Sequence, residues 1–310
     1  GQKGKDYLLR SLPRYNQAAR FTPWLVVVDL EDSAACAPPF VRTHLPFPAP
    51  RMCFRVAVRA IEAWLLADRE RILFSCDGFG GYGALRGAIF DDQYSDLAFY
   101  ERESLRYYAN IVAKFSRMVL RAIEKLAAMP VAMVAPSHGL IWRKDCGRII
   151  ELYRRWAGYA TAPAGPGVTL LYASMYGNTE KMMDAVAEGI SGLGLPLEIF
   201  DVARTHVSYL LPSLWTRTGV MVGAPTYEAA LFPPMVYALD MAGRKGIRNK
   251  RVARFGSYGW SGGAQREFDR IVGELGWEAA GAFEFVGAPS DEELRQGYEF
   301  GATFARALRG

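Results

Sequence analysis

Val168-Thr-Leu-Leu-Tyr-Ala173, running into Ser174-Met-Tyr-Gly-Asn-Thr179, is the stretch on which the fold turns. The first six residues are apolar and β-prone, as a strand buried on both faces requires. The next six hold three hydroxyls, an amide and a glycine. They precede a segment with Met182, Met183, Val186 and Ile190 at helical spacing. A strand that stops in such a loop at a helix N-terminus suits a phosphate group. There the free backbone N–H groups and the positive end of the helix dipole face the anion. Ser174, Asn178 and Thr179 add side-chain donors, and Gly177 lets the backbone close where a Cβ would obstruct it. Ser, Thr and Asn are also ordinary helix caps, so these residues alone leave both readings open.

Two later loops narrow the choice. Gly219-Val-Met-Val-Gly223 reads as a strand feeding Ala224-Pro-Thr-Tyr-Glu-Ala-Ala-Leu-Phe-Pro-Pro234. Arg251-Val-Ala-Arg-Phe255 reads as another, feeding Gly256-Ser-Tyr-Gly-Trp-Ser-Gly-Gly263. Strand, loop and helix repeat in this order from Val168 onward, which predicts an α/β fold with a doubly wound parallel sheet. Both loops combine aromatics with glycine or proline. A flat heteroaromatic ligand needs faces to stack on and backbone amides for its polar edge, and Tyr227, Tyr258 and Trp260 are the stacking candidates. Such ligands sit in the crevice at the carboxyl ends of the strands.

With these three loops, residues 168–310 resemble a flavodoxin domain, and more closely the flavodoxin half of the flavodiiron proteins. The resemblance implies an FMN site in which Ser174, Met175, Tyr176, Gly177, Asn178 and Thr179 hold the phosphate. Pro225, Thr226 and Tyr227 then face one side of the ring, and Ser257, Tyr258, Gly259 and Trp260 the other. It also implies electron transfer as an oxidoreductase, a rubredoxin-like protein or flavin reductase as redox partner, and a head-to-tail homodimer.

Residues 73–156 extend the same resemblance. Leu73-Phe-Ser-Cys-Asp77-Gly-Phe-Gly80, Ile89-Phe-Asp-Asp92, Arg106-Tyr-Tyr-Ala-Asn110 and Ala135-Pro-Ser-His138-Gly139 look like the second half of that family's metallo-β-lactamase-like αββα domain. The resemblance gives Asp77 as a carboxylate bridging two irons and His138 as a ligand to one. The family's remaining ligands come from an upstream His-x-Glu-x-Asp cluster and a further histidine. The only upstream histidine here is His44, in Arg-Thr-His44-Leu-Pro, with no carboxylate at ligand spacing. Two ligands do not hold a pair of irons, so Asp77 and His138 read as vestigial and a complete diiron centre is not expected.

Residues 1–72 resemble instead a fragment of a Toprim-like α/β family of unknown function. The residues responsible are Lys5-Asp-Tyr-Leu-Leu, Val26-Val-Val-Asp29-Leu-Glu-Asp32 and Arg55-Val-Ala-Val-Arg-Ala-Ile-Glu62-Ala-Trp-Leu-Leu-Ala-Asp68. That resemblance makes Asp29, Glu31 and Asp32 a potential Mg²⁺ group for phosphoryl transfer on nucleic acid. This stretch holds 11 Lys/Arg against 7 Asp/Glu, most of the chain's net charge of +5. A solvated basic face explains the excess without a nucleic-acid partner. The two resemblances meet near residues 69–73, so the chain reads as the front of one protein joined to the back of another.

The remaining features bound the function. No apolar run reaches the roughly 18 residues of a membrane span, and residues 1–20 are polar and basic, so a cytoplasmic protein without membrane contact is expected. Cys36, Cys53, Cys76 and Cys146 are far apart and form no CxxC pair, which predicts reduced, mostly buried thiols. Three histidines exclude any metal site built on several imidazoles. A strand at 24–29, helices over 54–70, 97–126 and 147–156, and a strand at 131–135 are expected. Residues 157–167, small and rich in Pro and Gly, read as the linker between a partial metallo-β-lactamase-like segment (73–156) and the flavodoxin-like domain (168–310).

Overall fold

The structure, a computed structural model, describes residues 5–29, 37–57, 72–83, 85, 87–161 and 165–309. The chain opens with α1 (Lys5–Ala18), β1 (Trp24–Asp29), α2 (Ala37–His44), β2 (Met52–Ala57) and β3 (Ile72–Cys76). Then come α3 (Leu97–Tyr107), a π-helical turn (Tyr108–Val112), α4 (Ser116–Leu126), β4 (Met133–Pro136) and α5 (Cys146–Gly158). Alternation follows: β5 (Gly165–Tyr172), α6 (Asn178–Ser191), β6 (Leu197–Asp201), α7 (Leu210–Thr216) and β7 (Arg217–Gly223). A small hairpin, β8 (Thr226–Tyr227) and β9 (Ala230–Leu231), leads to α8 (Pro233–Arg244). The chain closes with β10 (Arg251–Tyr258), α9 (Ala264–Leu275), β11 (Glu278–Val286) and α10 (Asp291–Arg309).

Two compact units emerge. One takes residues 1–80, 85–94 and 121–149; the other takes 81–84, 95–120 and 150–310. The second is built on a five-stranded, all-parallel sheet in the order β11-β10-β7-β5-β6. In chain order that is 2-1-3-4-5, with the switch point between β5 and β7. The central strands β5, β7 and β10 are buried along nearly their whole length, while β6 and β11 at the edges are mostly exposed or half-buried. This is why the central strands read as continuous apolar runs. Val168, Leu170, Met221, Ala253 and Phe255 of the sheet pack with Met182, Val186 and Ile190 of α6 and with Phe304 and Ala305 of α10. On α7, the Ser213 hydroxyl meets that of buried Thr169, 2.7 Å away.

In the first unit, β1 and β2 pair in parallel from Trp24↔Met52 to Asp29↔Ala57, and β3 pairs in parallel with β4. Leu12, Val26, Val28, Phe40, Leu45 and Phe54 form the small core beneath the first pair. The helix expected over 54–70 is therefore corrected over its first residues. Phe54 to Ala57 continue a strand, because hydrogen bonding to β1 satisfies their backbone; residues 58–71 lie outside the described residues. The thiols also differ from expectation: Cys53, Cys76 and Cys146 are in no disulfide but only half-buried, and Cys36 lies outside the described residues.

The helix expected over 97–126 is present but interrupted. Asn110 explains the break, since its side-chain amide donates to the carbonyls of Arg106 (2.7 Å) and Ser208 (3.0 Å). A side chain that takes the carbonyl four residues back displaces the backbone N–H, and the turn widens into a π-bulge. Arg106 itself lies between the rings of Tyr82 and Tyr209, at 4.6 and 4.4 Å from their centroids, and pairs with Glu103. Among the described residues, no helix is long and apolar enough to cross a membrane.

Candidate cofactor site at the sheet switch point

Three loops leave the carboxyl ends of β5, β7 and β10 and converge on one open cavity of about 220 Å³. Its walls are Ser174, Met175, Tyr176, Asn178 and Thr179 from the first loop, Pro225 and Thr226 from the second, and Ser257, Tyr258 and Gly259 from the third. Ten of the thirteen positions read from sequence therefore share one wall, counted from that lining set. Gly177, Tyr227 and Trp260 are not among the residues that line it.

The first loop is shaped as a helix start left open to a ligand. Gly177, at φ +85°, is the N-cap of α6 and supplies no side-chain cap. A left-handed backbone of that kind favours glycine. Its own N–H donates to Ser174 Oγ at 3.0 Å. The Thr179 and Ser257 hydroxyls lie 3.2 Å apart in the buried floor, joining the first loop to the third. No Lys or Arg occurs in 174–179, so an anion here would be held by amides, hydroxyls and the helix dipole.

The second loop holds a short hairpin. Thr226 and Tyr227 pair antiparallel with Leu231 and Ala230, and Glu228 and Ala229 turn at φ +49° and +57°. Two consecutive left-handed residues make the tight turn that matches strand twist. The hairpin is anchored by Glu267, whose carboxylate accepts the Leu231 N–H at 2.7 Å. Gly263, at φ +143°, closes the third loop against it; a Cβ there would lie 2.1 Å from the Ala229 carbonyl oxygen. Thr226 Oγ1 is buried and has no hydrogen-bond partner. A buried hydroxyl without a partner is uncommon, and in a cavity wall it marks a place for a ligand's polar atom.

The aromatics divide. Tyr258 lines the cavity, and its carbonyl accepts the Gly287 N–H at 2.9 Å. Tyr227 is 37% exposed and meets Phe232 edge-on, 5.9 Å between centroids. Trp260 is fully exposed and Tyr176 nearly so. These rings stand free to cover a flat ligand. Gly287, at φ +63°, also lines the cavity. A glycine after the last strand carried no local signal that sequence reading could use.

Asp77 and His138 come together, with His138 Nε2 3.5 Å from Asp77 Oδ1 and both side chains about 60% exposed. Their loops are tied by Ser137 N–H donating to the Cys76 carbonyl at 2.7 Å. Among the described residues, no group of three or more His, Cys, Asp or Glu is arranged to hold a metal. His44 instead bonds the Phe40 carbonyl of its own helix through Nδ1 and stacks on the Phe40 ring. Asp91 is a structural carboxylate: burial pushes its pKa up, but the backbone N–H groups of Arg143, Asp145, Lys144 and Asp92 outweigh this and lower it. The side chain of Asp29, and Glu31 and Asp32 entirely, fall outside the described residues.

Comparison with known proteins agrees with this geometry. The flavodoxin family model matches residues 170–301. The anaerobic nitric oxide reductase flavorubredoxins of Escherichia coli K12 and Pectobacterium carotovorum are each 33% identical over 241 residues. That alignment takes in 76% of this chain but 49% and 47% of those proteins, so the chain spans about half their length. Rubredoxin oxygen:oxidoreductase of Desulfovibrio gigas superposes with a TM-score of 0.74 at 24% identity, over 97% of this chain and 78% of that one. The flavodiiron protein of Giardia intestinalis gives a TM-score of 0.74 at 21% identity, over 99% and 85%. These superpositions concern fold alone, and at such coverage they include most of residues 1–72. Residues 170–301 are a flavodoxin domain, and over its aligned part the chain is similar to the flavorubredoxins and shares the fold of the flavodiiron proteins.

Proposed function

We propose that residues 168–310 bind FMN and that the chain transfers one or two electrons through it. The observation that carries this is the convergence of three strand-end loops on one cavity at the switch point, one of whose lining residues, Thr226, has a buried hydroxyl without a partner. When bound, FMN supplies the redox chemistry, and the protein sets its position and the polarity around it. Ser174, Met175, Tyr176, Gly177, Asn178 and Thr179 hold the phosphate against the start of α6. Pro225, Thr226 and Tyr227 take one side of the ring. Ser257, Tyr258, Gly259 and Trp260 take the other, with the exposed indole of Trp260 free to fold over it and exclude water.

The same reading assigns residues 73–156 to a partial metallo-β-lactamase-like segment carrying Asp77 and His138, without a complete diiron site. The proposed domain partition is the one read from sequence, 1–72, 73–156, a linker at 157–167 and 168–310, with the linker shortened at both ends because α5 runs to Gly158 and β5 begins at Gly165. The names of the relatives support a redox partner of rubredoxin type; a flavin reductase as the alternative partner and a homodimer follow from the family resemblance alone. Oxygen or nitric oxide reduction would need the ligands this chain does not show among its described residues.

The test is a visible absorption spectrum and an iron analysis on one purified sample reconstituted with FMN. A bound-flavin spectrum with one FMN per chain and far less than two irons supports the proposal. Folded protein that takes up no FMN would sink the flavin reading. Two irons per chain would restore the reductase reading instead.

A further inference from the structure

Arg254 is the one large cation buried completely within the flavodoxin domain's sheet, with 0% exposure on β10. Its guanidinium reaches three places. It donates to the Ala224 carbonyl at 3.1 Å, to Gln265 Oε1 at 2.9 Å and to Glu284 Oε1 at 2.9 Å. Ala224 immediately precedes Pro225 and Thr226 of the second loop. Gln265 stands at the start of α9, just past the end of the third loop. Glu284 lies on the edge strand β11. One planar, forked side chain therefore spans the bases of both loops.

Stability does not explain this arrangement. Arg254 Nε is buried without a partner, and desolvation lowers the guanidinium pKa, with Glu284 only partly offsetting it. Buried charges of this kind are weak contributors to stability and are often replaceable by apolar residues. The contact is close on every side: a Cβ at Gly256 would lie 1.9 Å from the Ala224 oxygen and 2.8 Å from the Arg254 guanidinium. A glycine is therefore kept beside Arg254, so that the loop base can approach the strand.

We infer that Arg254 is a positioning residue that fixes the two ring-side loops against each other, and so sets the affinity for the flavin ring. This rests on the FMN reading above. It assigns Arg254 to the ring and not to the phosphate, which residues 174–179 hold.

That division makes the inference testable with two ligands, FMN and riboflavin, which share the ring but not the phosphate. Titrations by flavin fluorescence on the full chain compare wild type, Arg254→Lys, Arg254→Met and Thr179→Val. Losing a hydrogen-bonded charged contact corresponds to about a tenfold change in binding. Arg254→Lys and Arg254→Met are expected to weaken FMN and riboflavin by the same factor, about tenfold. Thermal midpoints should fall somewhat, because the buried Ala224 carbonyl loses its donor even though Glu284, 28% exposed, rehydrates; the loss of affinity should persist in the fully folded fraction. Thr179→Val should weaken FMN far more than riboflavin. The visible circular dichroism of bound flavin should change in both Arg254 variants.

Affinities within twofold of wild type for both ligands, or a loss confined to FMN, would overturn the inference. A fall in thermal midpoint with unchanged affinity and dichroism in the folded fraction would also overturn it, leaving Arg254 a plain core residue. Should both Arg254 variants fail to fold, Gln265→Leu removes one arm alone. It is expected to weaken both ligands about threefold, and equal affinity there counts against the proposal. If wild type itself binds neither flavin, the FMN reading fails and the inference falls with it, whereas flavin binding by wild type with unchanged Arg254 variants overturns the inference alone.

Discussion

Thr226 shows how a single atom can separate stability from function. Its hydroxyl is buried in the cavity wall with no acceptor or donor within reach, and an unmet buried polar group costs about 1–3 kcal/mol. Thr226→Val removes that penalty at nearly constant shape. The flavin-free protein should therefore gain about 1 kcal/mol, seen as a higher thermal midpoint, while its FMN affinity falls. A lower midpoint with full affinity would mean the hydroxyl serves the fold. Lys250 makes a residue-scale prediction in pH. Its ammonium group is buried beside the carbonyls of Arg217 (2.5 Å) and Trp215 (3.5 Å), and burial lowers its pKa to about 7. The unfolded chain keeps that proton to about pH 10. Below pH 7 both states are charged and the burial penalty is felt in full. Between pH 7 and 10 the unfolded state binds the extra proton, so stability rises with pH. The difference in unfolding midpoint between wild type and Lys250→Met should grow in wild type's favour across that window. A flat difference would place the lysine's charge in water.

At the scale of elements, the flavodoxin sheet was legible because its central strands are buried on both faces and end in loops of distinctive composition. Each signal lay within about a dozen consecutive residues. What escaped depended on partners distant in sequence. Phe54 to Ala57 carry apolar residues compatible with helix or strand, and pairing with β1 decides between them. The π-bulge follows from Asn110 reaching Ser208, 98 positions away. Arg254 and Gly287 look ordinary in sequence because what they meet is brought near only by the fold. Helix packing carries a prediction of the same kind. At Gly189 a Cβ would lie 2.0 Å from the Tyr298 carbonyl oxygen, and at Gly301 2.2 Å from that of Val186. These contacts between α6 and α10 are backbone against backbone. Gly297 differs, since its Cβ would meet the Met182 sulfur at 2.2 Å, the movable part of a flexible chain. Gly189→Ala and Gly301→Ala should each lose about 1–3 kcal/mol or more in urea unfolding. Gly297→Ala should lose clearly less. Equal losses at all three would mean that α6 and α10 can slide apart, contrary to their close approach.

For the whole molecule, the decisive relation is between the flavin site and the pair Asp77 and His138. The flavin cavity draws all its walls from residues 174–287, so its integrity does not require a metal. The pair offers one carboxylate and one imidazole, each about 60% exposed. An exposed pair that close is worth little energetically, since water screens it. Iron needs more donors than these and a shaped, desolvated pocket. Flavin and iron should accordingly respond independently to mutation. His138→Ala and Asp77→Ala are expected to leave FMN stoichiometry, affinity and visible spectrum as in wild type, and to leave an already substoichiometric iron content unchanged. Thr179→Val should weaken FMN binding without changing iron. The measurement is paired flavin absorbance and elemental analysis on each purified variant. If His138→Ala instead released close to two irons per chain, residues beyond the described ones would complete a diiron centre. The chain would then be a reductase with its own electron acceptor, and not a flavin carrier that must pass its electrons on.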